Sequence, residues 1–181
     1  MRPNEFAEVA LSYQGQLWNA ALRLARDRAE AEDFLQETYR RAFEHARELR
    51  SLAHCRPWMF RILTSLVIDA RRRERSGPAI VLLKGGESTE PEGGLEQHAD
   101  FEAEILDRLA GQEIEGAIQS LPEPMRMALR LCDVEGFTYQ EISEILDCPI
   151  GTVRSRIARA RADLMARLLH HAQARGFGKP R

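Results

Sequence analysis

Thr152, Arg154, Ser155, Arg156 and Arg159 bring two hydroxyls and three guanidinium groups into one short stretch, with Arg161 just beyond. A guanidinium can donate two parallel hydrogen bonds to a guanine edge or neutralise a phosphate, and a hydroxyl can serve at either place. No covalent chemistry follows from such a set; the work it fits is reading DNA. Projected as a helix at about 100° per residue, Val153, Ile157, Ala160, Leu164 and Leu168 share one side, and Ser155, Ala158, Arg159 and Ala162 fall opposite. Thr152 lies beside the outer face, and Arg154 and Arg156 lie on its flanks. This predicts Arg159 and Ser155 on base edges, with Arg154, Arg156 and Arg161 on the phosphate backbone.

A reading helix needs a second helix to hold it, and the residues before it supply one. Thr138 and Glu141 have the spacing of a reciprocal capping box, and Ile142, Ile145 and Leu146 give the helix they open an apolar stripe. Asp147-Cys148-Pro149 ends that helix, because proline disfavours helical geometry in the residue before it, and Gly151-Thr152 can open the next. The whole is a helix-turn-helix. A plain arginine-rich solvated helix is the rival reading, but cap, breaker and facial segregation agree against it.

The chain has 181 residues, 44% hydrophobic and 30% charged, enough for two small domains. It has no apolar run of about 18 residues for a membrane span, and Met1-Arg-Pro-Asn-Glu5 lacks a signal-peptide core, so a cytoplasmic protein without membrane insertion is expected. Cys55, Cys132 and Cys148 are odd in number and far apart, which fits reduced thiols. The net charge of −2 is unevenly spread: residues 1–77 hold 14 basic and 11 acidic groups, 78–116 hold 2 and 10, and 117–181 hold 10 and 7. The acidic middle also carries Gly77-Pro78, Gly85-Gly86 and Glu90-Pro-Glu-Gly-Gly94, and reads as a flexible acidic linker.

The N-terminal part reads as helical throughout. Phe6, Val9, Ala10, Tyr13, Leu17, Ala21 and Leu24 recur at helical spacing, as do Ala31, Phe34, Leu35, Thr38, Tyr39, Ala42 and Ala46, whose helix Asp27 and Glu30 can cap. A third helix opens at Pro57 and runs into Arg71-Arg72-Arg73-Glu74-Arg75. Met59, Ile62, Leu63, Leu66, Val67 and Ala70 form its buried side, with Arg61, Thr64, Ser65, Ile68, Arg72 and Arg75 across from them as a second nucleic-acid surface. Trp58 and Phe60 sit at the margins of that face; stacking on unpaired bases is one role for them, and core packing is the favoured one. The one strand candidate is Ala79–Leu83, and the class is all-α.

Four motifs in order, Ala29-Glu-Ala-Glu-Asp-Phe-Leu-Gln-Glu-Thr38, Arg56-Pro-Trp-Met-Phe-Arg-Ile62 running to Ile68-Asp-Ala-Arg-Arg72, Leu121-Pro-Glu-Pro-Met-Arg126 and Asp147-Cys-Pro-Ile-Gly-Thr-Val-Arg-Ser-Arg156, resemble bacterial RNA polymerase sigma factors of the extracytoplasmic-function type, sigma-70 family. The last motif is most similar to the envelope-stress members. The resemblance implies a factor with no catalytic centre that binds core RNA polymerase, directs it to promoter DNA and helps open the duplex, in a stress response controlled by an anti-sigma factor. It implies region 2 over 1–77, the linker over 78–104, and a region 4 helix-turn-helix over 105–175.

By the same resemblance, Glu32, Asp33, Gln36 and Glu37 dock on polymerase. The loop Glu48 to Arg56 and the helix after it, with Arg61, Thr64, Ser65, Ile68, Arg72 and Arg75, read the minus-10 element as single strand. Thr152, Arg154, Ser155, Arg156 and Arg159 contact minus-35. Thr64-Ser65 stands where the family usually has Arg-Asn, so the usual asparagine contact is absent there and the base preference at that point is left open.

Two other classes compete. A stand-alone helix-turn-helix repressor would use Thr138 to Arg161 but leaves the N-terminal helices idle. His54-Cys55 and His170-His171 suggest a metal enzyme or redox sensor, yet neither pair has partners at ligand spacing, so no enzyme activity, cofactor or metal is expected.

Overall fold

The computed structural model describes residues 3–49, 51–76 and 111–174, all of them in helices or in the turns that join them. Helices α1 (Pro3–Ser12), α2 (Gln14–Leu24), α3 (Arg28–Glu44) and α4 (Cys55–Ser76) form the N-terminal part. Helix α5 covers 111–119, followed by α6 (Glu123–Leu129), α7 (Tyr139–Ile145) and α8 (Ile150–Ala174). The linker and Ala79–Leu83 lie outside the described residues.

The apolar series from Phe6 to Leu24 predicts one helix, and the chain makes two. Tyr13, at φ −92° and ψ 5°, leaves helical geometry and its N–H bonds back to Ala10 O at 3.3 Å. The bend brings both Phe6 and Leu17 into one core, 1% and 0% exposed. Ala20, Ala21, Ala31 and Ala42 are buried there too, and their small side chains allow α2 and α3 to approach closely. Phe6 meets Phe43 and Trp58 edge-on, with ring centroids 5.4 and 6.1 Å away, a favoured aromatic geometry.

Asp27 accepts the Glu30 N–H at 2.8 Å, so the expected cap of α3 is made. Glu30 also accepts the Arg26 N–H at 2.7 Å and two bonds from Arg71 at 2.8 and 2.9 Å, joining the start of α3 to α4. Burial pushes the Glu30 carboxyl up, but the Arg71 and Arg26 contacts outweigh it, and the net position is below the ordinary 4.5. A depressed carboxyl contributes stability that is present above its unfolded pKa and lost as pH falls through the folded one. The stability gap between the native chain and Glu30→Gln should therefore be constant at neutral pH and close progressively below about pH 4.5. Thermal melts of both proteins from pH 7 to 3 check this; a gap that widens on acidification would refute it.

Helix α4 begins at Cys55 rather than Pro57. The tight turn Leu52–His54 feeds directly into it, and proline is tolerated in a first turn because its missing N–H has no intrahelical partner there.

In the C-terminal part, α6 passes into a π-helical turn, Arg130–Val134, closed by Glu135 N–H to Arg130 O at 3.0 Å. Gly136, at φ +72°, then turns the chain into α7, a backbone setting that glycine adopts without a Cβ penalty. Thr138 and Glu141 make the expected capping box. Thr138→Ala should cost about 1 kcal/mol, read as a lower denaturation midpoint with unchanged slope. Helix α7 ends in a Schellman turn: Asp147 takes φ +46° and the Cys148 N–H reaches Ser143 O at 3.1 Å. Val153, Ile157 and Ala160 of α8 are buried as expected, while Leu164 and Leu168 are half-buried. The main cluster of buried residues runs without a break from Phe6 through Leu63 to Met127, Ile142 and Ile157, so the two parts share a core.

Candidate nucleic-acid interface

On α8 the sequence-predicted residues stand where the projection puts them. Arg154, Ser155 and Arg159 are exposed, and Thr152 and Arg156 are partly covered. Neither Arg154 nor Arg159 has an ion-pair partner among the described residues, so both guanidinium groups are available to DNA. The Ser155 hydroxyl donates to Thr152 O at 3.0 Å, leaving its oxygen as an acceptor for a base amino group. Arg156 Nη1 lies 3.5 Å from Cys148 Sγ, which tethers it near the turn. Arg161, expected on the phosphate backbone, is exposed and has an acidic neighbour. Its guanidinium is bound to both Asp133 oxygens, at 2.5 and 3.2 Å, and so ties α8 to the π-helical turn.

The α4 set divides. Arg61, Ser65, Ile68 and Arg72 are exposed, with Ile68 at 41% and Arg72 paired to Asp69 at 3.2 Å. Arg75 has its side chain outside the described residues. Thr64, expected on the open face, is 0% exposed, with its hydroxyl donating to Arg61 O at 3.2 Å. The projection assumed a helix buried on one side; α4 is covered on two. Met59, Leu63 and Val67 pack into the N-terminal core, and Thr64 lines a small cavity together with Met127, Arg130, Leu131 and Glu135 from the other half of the chain. Phe60, favoured for the core, is 1% exposed and packs against Phe137 at 4.9 Å, while Trp58 is half-buried beside Phe6.

Ile68 and Arg72 of α4 line a groove of about 360 Å³ with Met127, Leu146 and Arg156. Thus both candidate reading surfaces border one depression.

On α3, Glu32, Asp33 and Gln36 are exposed and Glu37 is partly covered. Glu32 pairs with Arg28 at 3.1 Å. Glu37 accepts from Arg40 and Arg41, whose hydrogen bonds hold its carboxyl down to about 2. Asp33 and Gln36 are therefore the more readily engaged members of the set.

The sequence reading missed Arg23, Arg56, Arg130 and Glu135, which join the two halves. Arg23 pairs with Glu135 at 2.9 Å; Arg56 Nη2 donates to Glu135 O at 2.5 Å and its guanidinium lies 4.0 Å from the Phe137 ring centre. Arg130, 4% exposed, donates to Arg23 O at 2.6 Å and to Glu115. The available signal was Gly136-Phe137 before the Thr138 cap, a place where an apolar residue often packs on its own helix. That pattern does not disclose a partner in another part of the chain.

Cys55 is fully buried, and burial pushes its thiol up, away from the reactive thiolate. Among the described residues no group of three or more histidine, cysteine or acidic side chains is placed to hold a metal, and no helix is long and apolar enough to cross a membrane.

A helical bundle followed by a helix-turn-helix whose second helix presents unpaired arginines defines a DNA-reading transcription factor of two parts, and both parts match known families: sigma-70 region 2 over residues 9–77 and sigma-70 region 4 over 111–164. RNA polymerase sigma-H factor of Pseudomonas aeruginosa is 31% identical over 158 residues, 86% of this chain and 82% of that one. The ECF RNA polymerase sigma-E factor of Escherichia coli K12 is 35% identical over 134 residues, 71% of this chain and 69% of the relative. The chain belongs to the extracytoplasmic-function group of the sigma-70 family.

The fold is shared with solved structures. Sigma factor RpoE in complex with the anti-sigma factor NepR from Bartonella quintana matches with TM-score 0.70 at 24% identity, over 91% of this chain and 96% of that one. CnrH in complex with the cytosolic domain of CnrY matches with TM-score 0.63 at 20% identity, over 92% and 89%.

Proposed function

We propose that this chain binds core RNA polymerase, directs it to promoters by reading two elements, and is held in check by an anti-sigma protein in a stress response. The observation that carries it is the pairing of two candidate reading surfaces, α4 and the outer face of α8, in the order of sigma regions 2 and 4. Asp33 and Gln36, with Glu32 and Glu37, offer a polar surface on α3 for polymerase. Arg61, Ser65, Ile68 and Arg72, with Thr64 once uncovered and Arg75 beyond them, take the separated minus-10 strand. Thr152, Arg154, Ser155, Arg156 and Arg159 take the minus-35 duplex, where phosphate contacts position the helix and base contacts select sequence.

Domain limits of 1–77, 78–104 for the linker and 105–175 fit this division. Two weak sites joined by a tether raise each other's effective concentration, which suits a protein that acts as part of a holoenzyme. Regulation by an anti-sigma factor is supported by the likeness in fold to sigma factor RpoE, which was solved with the anti-sigma factor NepR. On this reading the protein acts at chromosomal promoters in the cytoplasm, as an initiation factor without a reaction of its own.

In vitro transcription with bacterial core polymerase on a pool of genomic promoter fragments tests this reading. Transcripts that require the chain support it. No chain-dependent transcript, with duplex fragments bound by the chain alone, would overturn it in favour of a stand-alone regulator.

A further inference from the structure

We propose that the groove bordered by α4 and α8 binds a small ligand, a free single-chain alkyl carboxylate whose head is held by Arg72 and Arg156. The consequence for transcription rests on the function proposed above; the binding itself does not. The groove has a volume of about 360 Å³, inside the roughly 300–1,000 Å³ range of small-molecule sites. Its apolar walls are drawn from three elements: Ile68 of α4, Pro124 and Met127 of α6, and Leu146 at the end of α7. Ile68 is 41% exposed and Met127 only 3%, so an open apolar rim leads to a closed floor. Among the described residues, no aromatic ring and no side-chain amide or hydroxyl lines it, so no side chain there stacks on a base or reads its hydrogen-bonding edge. Aliphatic side chains and an adaptable thioether suit a flexible alkyl chain instead, and each methylene removed from water favours binding.

The charged groups set the sign of the head. Arg72 and Arg156 bring two guanidiniums to the lining against the single carboxylate of Glu123, whose charge also acts on Arg71. Arg156 forms no ion pair among the described residues; its hydrogen-bonding contact is the Cys148 sulfur at 3.5 Å. Arg72 gives one bond to Asp69, at 3.2 Å, and its side chain is 77% exposed. A guanidinium carries five N–H donors in a fork that matches a carboxylate, so both arginines retain donors for the head. A cationic head on the same chain would meet an excess of like charge. Arg72 and Arg156 are also the residues that the proposed reading gives to the minus-10 strand and the minus-35 duplex. A carboxylate held by them therefore competes with promoter DNA at both elements.

Methyl-labelled methionine spectra of the full chain, titrated with dodecanoate below its micelle concentration, test the site. Met127 lines the groove, whereas Met165 is 61% exposed on the tail of α8 and reports adsorption to apolar surface in general. Dodecanoate should shift Met127 saturably and leave Met165 unchanged, and dodecyltrimethylammonium, the same chain with a cationic head, should not shift Met127. Arg72→Gln and Arg156→Gln should each weaken binding on the order of tenfold. Pro124→Glu should do the same: it adds a carboxylate to the lining at an exposed position in the first turn of α6, where an acidic residue suits the helix. Parallel shifts of Met127 and Met165, equal binding of the two head groups, or Gln variants that bind as the native chain does would overturn the site. Sedimentation with phosphatidylglycerol vesicles separates the sources of such a ligand; binding to vesicles but not to free dodecanoate would overturn the single-chain ligand in favour of a membrane surface. Chain-dependent transcription should fall in dodecanoate for the native protein and persist for Pro124→Glu, and undiminished native transcription at saturating dodecanoate would overturn the competition with DNA. No chain-dependent transcript in the absence of dodecanoate, beside a saturable Met127 shift, would instead count against the function proposed above and leave the binding site standing.

Discussion

Arg159→Ala is expected to reduce promoter-specific transcription by roughly 5- to 150-fold, the equivalent of losing 1–3 kcal/mol of base discrimination. Arg159 is exposed on α8, and no ion pair within the described chain competes for it. Its loss should act at one base position, so that templates substituted there cease to be distinguished. Arg154→Ala supplies the contrast: a flank arginine on a phosphate weakens binding about equally on all sequences and lowers the salt slope by about one. Run-off transcription with both variants on templates substituted at each minus-35 position separates them. If Arg159→Ala behaved like Arg154→Ala, the assignment of Arg159 to base reading would fall.

Phe6→Ala should cost about 3–5 kcal/mol, a large share of the 5–15 kcal/mol that typical domains possess. Phe6 is 1% exposed, holds Phe43 and Trp58 in edge contact, and belongs to a cluster continuous with the C-terminal half. The ring therefore leaves a cavity that rigid helices on several sides cannot close. Urea titration should show a sharply lower midpoint, against a change within about 0.5 kcal/mol for Leu169→Ala at the exposed end of α8. A Phe6→Ala midpoint close to native would mean that the bundle does not depend on this ring.

Local signals in the sequence were sufficient for the helix-turn-helix. Thr138, Glu141, Pro149 and the spacing of Val153, Ile157 and Ala160 act within a few residues of themselves, and each appears in the structure as expected. The break at Tyr13 escaped because the apolar period continues through it; a bend that keeps both halves on one core leaves the pattern intact. Thr64 escaped for a different reason. It is buried at a cavity that it shares with Met127 and Glu135, far along the chain, and facial projection treats each helix as having a single buried side. Arg161 likewise resembles Arg154 and Arg156 in the sequence, and its pair with Asp133 is seen only where the π-helical turn brings the two together. Local rules thus recovered the helix-turn-helix and the α8 face, while residues whose roles depend on the packing of one half against the other were visible only in three dimensions.

Helix α8 is 25 residues long, about 37 Å at 1.5 Å per residue, yet its fully buried contacts end at Ala160. Beyond that point Leu164 and Leu168 are only half-covered, and Met165 and Leu169 are exposed at 61% and 52%. The helix is therefore a beam clamped at one end. Heat or denaturant loosens such a beam from its free tip inward, and Thr152 to Arg159 lie within the clamp. On the proposed reading, the duplex grip of Thr152 to Arg159 is insulated from Met165 and Leu169, whose exposed side chains are free to vary without disturbing the angles at which the arginines would meet the groove.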